Sequence, residues 1–105
     1  MSECKIISHR GANKYAPQNT LHAFKKSVEI GTDGFETDVH ITKDGQVVLC
    51  HNYTIDETST GNGNISEKTL AELKSYDFGS YFSKEFQGTE LPTLDEFLSF
   101  VKLLI

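Results

Sequence analysis

Three short apolar segments of the chain each end in ionisable side chains. They are IISHRG (6–11), GFETDV (34–39) and VVLCH (47–51). In a parallel α/β architecture the carboxyl ends of the strands open onto one face, so side chains at those ends converge although they are distant in sequence. We therefore predict parallel strands whose carboxyl ends carry a functional site.

Helical segments alternate with these strands. Residues 4–8 form the first predicted strand, and residues 20–30 follow as a helix that ends at Gly31. The apolar face of this helix comprises Leu21, Phe24 and Val28. Strands that alternate with helices indicate the α/β class.

Two later segments carry helix start signals. Thr69 and Glu72 have the T-x-x-E spacing of a capping box ahead of a short helix. Thr93 and Glu96 repeat that spacing after Pro92, ahead of the last helix. The apolar stripe of the last helix comprises Leu94, Phe97, Leu98, Val101, Leu104 and Ile105.

The C-terminal sequence LLI follows that stripe without a capping residue or a stop signal. Three strands and three helices are also fewer than a TIM-type β/α barrel contains, because such a barrel typically needs roughly 250 residues. We therefore expect residues 1–105 to be the N-terminal portion of such a barrel, truncated after about the third βα unit.

The composition restricts the partners of the chain. The net charge is −5 and no run is rich in lysine or arginine, which argues against a nucleic-acid surface. No apolar run approaches the roughly 20 residues of a membrane span, and the N terminus has no signal-peptide core. Cys4 and Cys50 are too few for a disulfide framework, and Cys50 sits in an apolar strand as a buried, reduced thiol would. We expect a cytoplasmic protein.

Two carboxylates lie two residues apart on the second strand. Glu36 and Asp38 therefore point to the same side of it. Ionised carboxylates that face a barrel interior repel each other unless they share a cation, and hard oxygen ligands favour Mg²⁺ or Ca²⁺. A solvated pair on an edge strand is the alternative.

Histidine and arginine side chains stand at the neighbouring strand ends. A single histidine such as His9 or His51 is more often a structural hydrogen-bonding group than a catalyst, but the combination with Glu36 and Asp38 favours catalysis. Arg10 is a candidate for binding phosphate, because a guanidinium matches two phosphate oxygens, and a surface ion pair is its alternative.

Three further features receive weaker interpretations. His40 shares the parity of the two carboxylates and is a minor candidate ligand, whereas His22 on the first helix is expected to be exposed. The segment STGNGN (59–64) lacks the context of a phosphate-binding glycine loop and is interpreted as a flexible turn.

Five motifs in order resemble the glycerophosphodiester phosphodiesterase family over nearly the whole chain. They are HRG (9–11), APQNT (16–20), ETDVHITKDG (36–45), HNYTIDETSTGNG (51–63) and LPTLDEFL (91–98). The resemblance implies a β/α barrel enzyme that hydrolyses glycerophosphodiesters to glycerol 3-phosphate and an alcohol, with a divalent metal and a histidine pair.

The resemblance also implies a role for each candidate residue. His9 and His51 would be acid and base, Glu36 and Asp38 metal ligands, and Arg10 the phosphate-binding group. A third acidic metal ligand is implied on a later strand that residues 1–105 do not contain.

The chain departs from the family pattern at three positions. Gln18 stands where the family usually has glutamate, Asn52 where it has aspartate, and Glu57 where arginine is common. A related lipid phosphodiesterase activity, such as that of lysophospholipase D or sphingomyelinase D, remains open as an alternative. So does an inactive partial barrel that acts through self-association or partner binding, because its uncovered sheet edge favours pairing.

Overall fold

The computed structural model describes residues 7–104. Cys4, the start of the predicted strand 4–8, and Ile105 lie outside the described residues. The elements are β1 (Ile7–His9), α1 (Leu21–Ile30), β2 (Gly34–Glu36), β3 (Val39–Ile41), β4 (Val47–Leu49), α2 (Leu70–Lys74) and α3 (Leu94–Lys102), with 3₁₀ turns at Ile65–Glu67 and Lys84–Phe86.

The first two strands form the predicted parallel unit. β1 pairs with β2 in parallel, and α1 makes the connection between them. The register places Ser8 opposite Phe35 and His9 opposite Glu36. Since side chains alternate along a strand, His9 and Glu36 share one side of this pair.

The third predicted strand pairs with a strand that the sequence did not predict. The predicted strand 34–39 ends at Glu36, and a new strand, β3, pairs with β4 antiparallel. The reason is the length of the loop 42–46, because a parallel crossover needs roughly a dozen residues or more whereas a hairpin needs only a few. Gly45 has φ 80°, which suits a tight turn, so the Asp-Gly signal indicated a hairpin.

The helix boundaries follow the predicted signals. The Thr20 hydroxyl caps α1 by accepting the Ala23 N–H, and Gly31 ends the helix with φ 93°. Both predicted capping boxes are present, at the starts of α2 and α3. Both capping boxes and the stop of α1 were therefore predictable from local sequence alone.

The buried faces of two helices differ from the predicted stripes. Val28 of α1 is 40% exposed, while the small residues Ala23 and Ser27 are buried. A Cβ atom on Gly11 would lie 2.6 Å from that of Ala23, so the loop after β1 approaches α1 too closely for larger residues. Leu98 of α3 is exposed, and so is Leu104 just beyond the end of the helix, although both belong to the predicted stripe.

Two apolar clusters make up the core of the described residues. One, around Phe24, Leu49 and Phe97, joins α1 to β4 and α3. The other lies under the long loop and comprises Val48, Cys50, Ile55, Ile65, Leu73, Phe78 and Leu91. Cys50 is a free buried thiol, as predicted, and burial raises its pKa.

The loop that follows β4 is hydrogen-bonded and packed at both of its sides. Thr54 forms a β-bridge with Asn64, and the Ile55 N–H donates to the Gly63 carbonyl at 3.1 Å. Ile55 and Ile65 are fully buried at its two sides.

Of the helices within residues 7–104, none is long and apolar enough to span a membrane.

Asp77 fixes the turn after α2 and makes stability depend on pH. Its carboxylate accepts the Ser80 hydroxyl and the N–H groups of Gly79 and Ser80, and these bonds, the Ser80 hydroxyl first, lower its pKa from 3.8 to about 2. A folded-state pKa below the unfolded value gives stability that is full above pH 3.8 and lost as the pH falls towards 2.

We expect Asp77→Asn to flatten this acid dependence, because the amide does not titrate. The measurement is the urea midpoint of unfolding at pH 5 and at pH 2.5 for both proteins. Ser80→Ala is the matched control and should flatten the dependence in part. An equal loss of stability on acidification in wild type and Asp77→Asn would contradict the assignment.

Candidate active site

His9 and Glu36 form the centre of the site. The parallel register brings them side by side, and His9 Nε2 lies 2.9 Å from Glu36 Oε2. The second carboxylate oxygen, Oε1, is buried without a hydrogen-bond partner in the structure. The pairing directs the Glu36 carboxylate to the carboxyl ends of β1 and β2, as predicted.

Arg10 is held in a rare backbone conformation next to this pair. Its φ of 55° is left-handed, which is uncommon for a residue other than glycine. Its N–H donates to the Glu36 carbonyl, and its carbonyl accepts the Asn19 N–H, both at 2.8 Å. Left-handed backbone that is fixed from both sides often marks a functional position.

The Arg10 side chain is oriented by a neutral partner. Its Nη1 donates to Gln18 Oε1 at 2.7 Å, while its Nε is buried without a partner. The predicted alternative for Arg10, a surface ion pair, is not what the described residues show, because Arg10 makes no ion pair among residues 7–104.

Asn19 connects the arginine to the carboxylates. It is buried, has φ 57°, and its Oδ1 accepts the Thr37 hydroxyl at 2.7 Å. Thr37 lies between Glu36 and Asp38 in sequence, so this bond fixes the segment that carries both carboxylates. The sequence prediction missed this role of Asn19, although asparagine is a common residue in left-handed backbone.

His51 reaches the site because β4 is antiparallel to β3. The Cys50 N–H donates to the Asp38 carbonyl at 3.0 Å, which places His51 directly after a residue bonded to the second carboxylate position. His51 also lines one cavity with Gln18 and Asn19. The hairpin of β3 and β4 therefore places His51 next to the Asp38 position.

The neighbours of His51 fix its ring. Nδ1 donates to Asn52 Oδ1 at 2.7 Å, since an amide oxygen only accepts, and Nε2 remains to accept or donate a proton. His40 uses its Nε2 to donate to the His51 carbonyl at 3.2 Å and packs on Tyr53. His40 therefore supports His51, and His22 lies exposed against Phe86, as expected.

The two carboxylates fit a hard cation in part. Glu36 Oε1 and Asp38 Oδ2 are both buried without a partner, which leaves two oxygen atoms of the preferred kind for Mg²⁺ or Ca²⁺. Among residues 7–104, however, no group of three or more histidine, cysteine, aspartate or glutamate side chains is placed to hold a metal ion. The described residues thus provide two candidate ligands.

The Asn19–Thr37 bond can be tested by a double-mutant cycle with Asn19→Ala and Thr37→Val. We expect Asn19→Ala alone to cost about 2 kcal/mol of unfolding free energy, because it loses a buried hydrogen bond and puts alanine in left-handed backbone. The coupling between the two substitutions should be about 1 kcal/mol by urea unfolding. Additive effects of the two substitutions would show that the bond does not contribute to stability.

The chain is similar to known proteins of one family. The model of the glycerophosphoryl diester phosphodiesterase family matches residues 9–104. A glycerophosphodiester phosphodiesterase of Caldanaerobacter subterraneus is 46% identical over 91 residues, which are 87% of this chain and 37% of that protein. One of Bacillus subtilis is 33% identical over 100 residues, 88% of this chain and 34% of that protein.

Solved structures show the same likeness. The crystal structure of a glycerophosphodiester phosphodiesterase from Agrobacterium tumefaciens has a TM-score of 0.93 and 36% identity, over 95% of this chain and 43% of that one. A phosphodiesterase of Oleispira antarctica, solved with its product sn-glycerol-3-phosphate, has a TM-score of 0.91 and 35% identity, over 95% and 40%.

The chain spans about two fifths of the length of these relatives or less. The described residues match the corresponding part of β/α barrel enzymes, and they include the parallel β1–β2 pair. Because the family model matches almost every residue from His9 onwards, the chain belongs to the glycerophosphoryl diester phosphodiesterase family.

Proposed function

We propose that this site takes part in the metal-dependent hydrolysis of glycerophosphodiesters to glycerol 3-phosphate and an alcohol. The observation that carries the proposal is the grouping of His9, Arg10 and Glu36 at adjoining strand ends, with His51 following the residue whose N–H donates to the Asp38 carbonyl. Acid, base and anion-binding groups together are what cleavage of a phosphodiester requires. The membership in the family supports this choice of reaction.

Arg10 is the group proposed to bind the phosphate. Its Nε is buried without a partner and Gln18 occupies only one nitrogen of the fork, so further donors remain for phosphate oxygens. A planar guanidinium contacts two oxygens of a phosphate at once, which both binds and orients it.

The two histidines are proposed as acid and base. His51 keeps Nε2 for proton transfer because Asn52 occupies Nδ1, and Glu36 holds the His9 ring through Nε2. One imidazole would take the proton of the attacking hydroxyl group, and the other would protonate the leaving alkoxide. At the position of the family's usual aspartate, Asn52 still provides an oxygen that orients His51.

Glu36 and Asp38 are proposed to hold a divalent cation, Mg²⁺ or Ca²⁺, through their unpartnered oxygens. Such a cation supplies charge that offsets the negative charge developing on the phosphoryl oxygens. The two carboxylates of this chain would contribute part of the coordination, and the remainder would come from outside residues 7–104.

The free thiol of Cys50 supports a proposed cytoplasmic location.

Self-association is a second candidate role, supported by exposed apolar side chains on the strands. Ile7 of β1 is 57% exposed, and Val39 and Ile41 of β3 are 48% and 62% exposed. Apolar side chains on uncovered strands favour contact with another chain, which here would be a second copy. This role and the enzymatic one are compatible, because another chain can complete a partial site.

The proposed reaction predicts release of glycerol 3-phosphate from glycerophosphocholine. The assay compares Mg²⁺, Ca²⁺ and a chelator, using the 105-residue chain and a chimera in which this chain replaces the matching segment of the Caldanaerobacter enzyme. We expect metal-dependent release by the chimera, which supplies the remaining metal ligands, and a loss of roughly 10²-fold or more on His9→Ala or His51→Ala, because each removes a proton-transfer group.

His22→Ala is the matched control, since His22 is exposed on α1 away from these groups. Near-normal turnover of His9→Ala or His51→Ala in the chimera would contradict the assigned roles. The solution mass recorded with each assay distinguishes a single chain from an assembly. A long-chain lysophospholipid offered beside glycerophosphocholine tests the related lipid phosphodiesterase activity.

A further inference from the structure

We infer that Gln18 is a positioning residue that sets the anion affinity of the site, because it orients Arg10 without neutralising it. The inference rests on the proposed phosphate-binding role of Arg10. Gln18 would then contribute to the specificity for anionic ligands, and Tyr81 would hold Gln18 in place.

The contact between Gln18 and Arg10 is short and uncharged. Gln18 Oε1 accepts Nη1 at 2.7 Å, which fixes the plane of the guanidinium. An amide oxygen carries only a partial charge, and no carboxylate forms an ion pair with Arg10 among the described residues. The positive charge of Arg10 therefore remains available to a phosphate.

Gln18 is held in place by a hydrogen bond of its own backbone and by the bonds of its two neighbours, Pro17 and Asn19. Its N–H donates to the Tyr81 hydroxyl at 3.2 Å, across 63 residues of sequence. Next to it, the Thr20 hydroxyl donates to the Pro17 carbonyl at 2.6 Å, and Asn19 is bonded to Arg10 and Thr37. Burial raises the Tyr81 pKa, so the phenol stays neutral at physiological pH and adds no competing charge.

This arrangement makes a specific prediction about charge and shape. Gln18→Glu keeps the shape and the hydrogen-bond acceptor but adds a full negative charge beside Arg10, which competes with a bound phosphate. Gln18→Ala removes the acceptor and leaves the charge of Arg10 intact. If Gln18 orients Arg10 and also leaves its charge free, Gln18→Glu should weaken anion binding more than Gln18→Ala does.

The test is a titration of the ¹⁵N-labelled 105-residue chain with glycerol 3-phosphate by NMR, with glycerol as the uncharged control. We expect Gln18→Glu to weaken binding about tenfold and Gln18→Ala about threefold, since one close charge changes affinity more than one neutral hydrogen bond. Thermal unfolding of each variant is recorded in parallel. If Gln18→Ala weakens binding more than Gln18→Glu, the residue acts through structure alone and the inference is overturned.

Arg10→Met separates the inference from the proposed function. If Arg10→Met abolishes binding and Gln18→Glu binds like wild type, the proposed function stands and the inference about Gln18 fails. If wild type and Arg10→Met bind equally weakly or equally well, Arg10 does not bind the phosphate, and both fail. The Arg10 Nε–H resonance gives a readout without ligand: it should shift in Gln18→Ala and in Tyr81→Phe, and an unchanged resonance in both would refute the positioning role.

Discussion

The parallel pairing of β1 with β2 is the interaction on which the rest of the site depends. It sets His9 opposite Glu36, and the residues that follow each strand are then tied together by hydrogen bonds across the same edge. Arg10 bonds to the Glu36 carbonyl, Asn19 bonds to Arg10, and the Asn19 side chain bonds to Thr37. These bonds close a ring that fixes the segment from Glu36 to Thr37 against the loop after β1. Without the register of this pair, none of the later contacts would have a fixed geometry.

Local signals predicted much of this fold, because they act within a few residues. The capping boxes at Thr69 and Thr93 and the stop at Gly31 each depend on one turn of backbone, and the structure has all three. The five candidate site residues were found for a similar reason. Polar groups at the ends of apolar strands are visible in the sequence, and the structure places His9, Arg10 and Glu36 together, with His51 beside Asp38.

The errors came from information that the local sequence does not carry. Strand pairing depends on loop length, and loop 42–46 is too short for a parallel crossover, so β4 forms a hairpin with the unpredicted strand β3. The hydroxyl of Tyr81 reaches Gln18 from a distant turn, and no pattern in the sequence indicates that contact. The buried face of α1 was misjudged because close packing against Gly11 favours a small residue, Ala23, over a larger apolar one.

The central claim is that groups from three strand ends form one site around a cation. The most direct measurement is Mn²⁺-induced broadening of backbone amide NMR signals, since Mn²⁺ accepts the same oxygen ligands as Mg²⁺. We predict the strongest broadening at residues 9–10, 36–38 and 51–52, lost in a Glu36→Gln, Asp38→Asn double variant. Broadening centred on another acidic segment, such as 85–90, and unchanged in that variant would contradict the account.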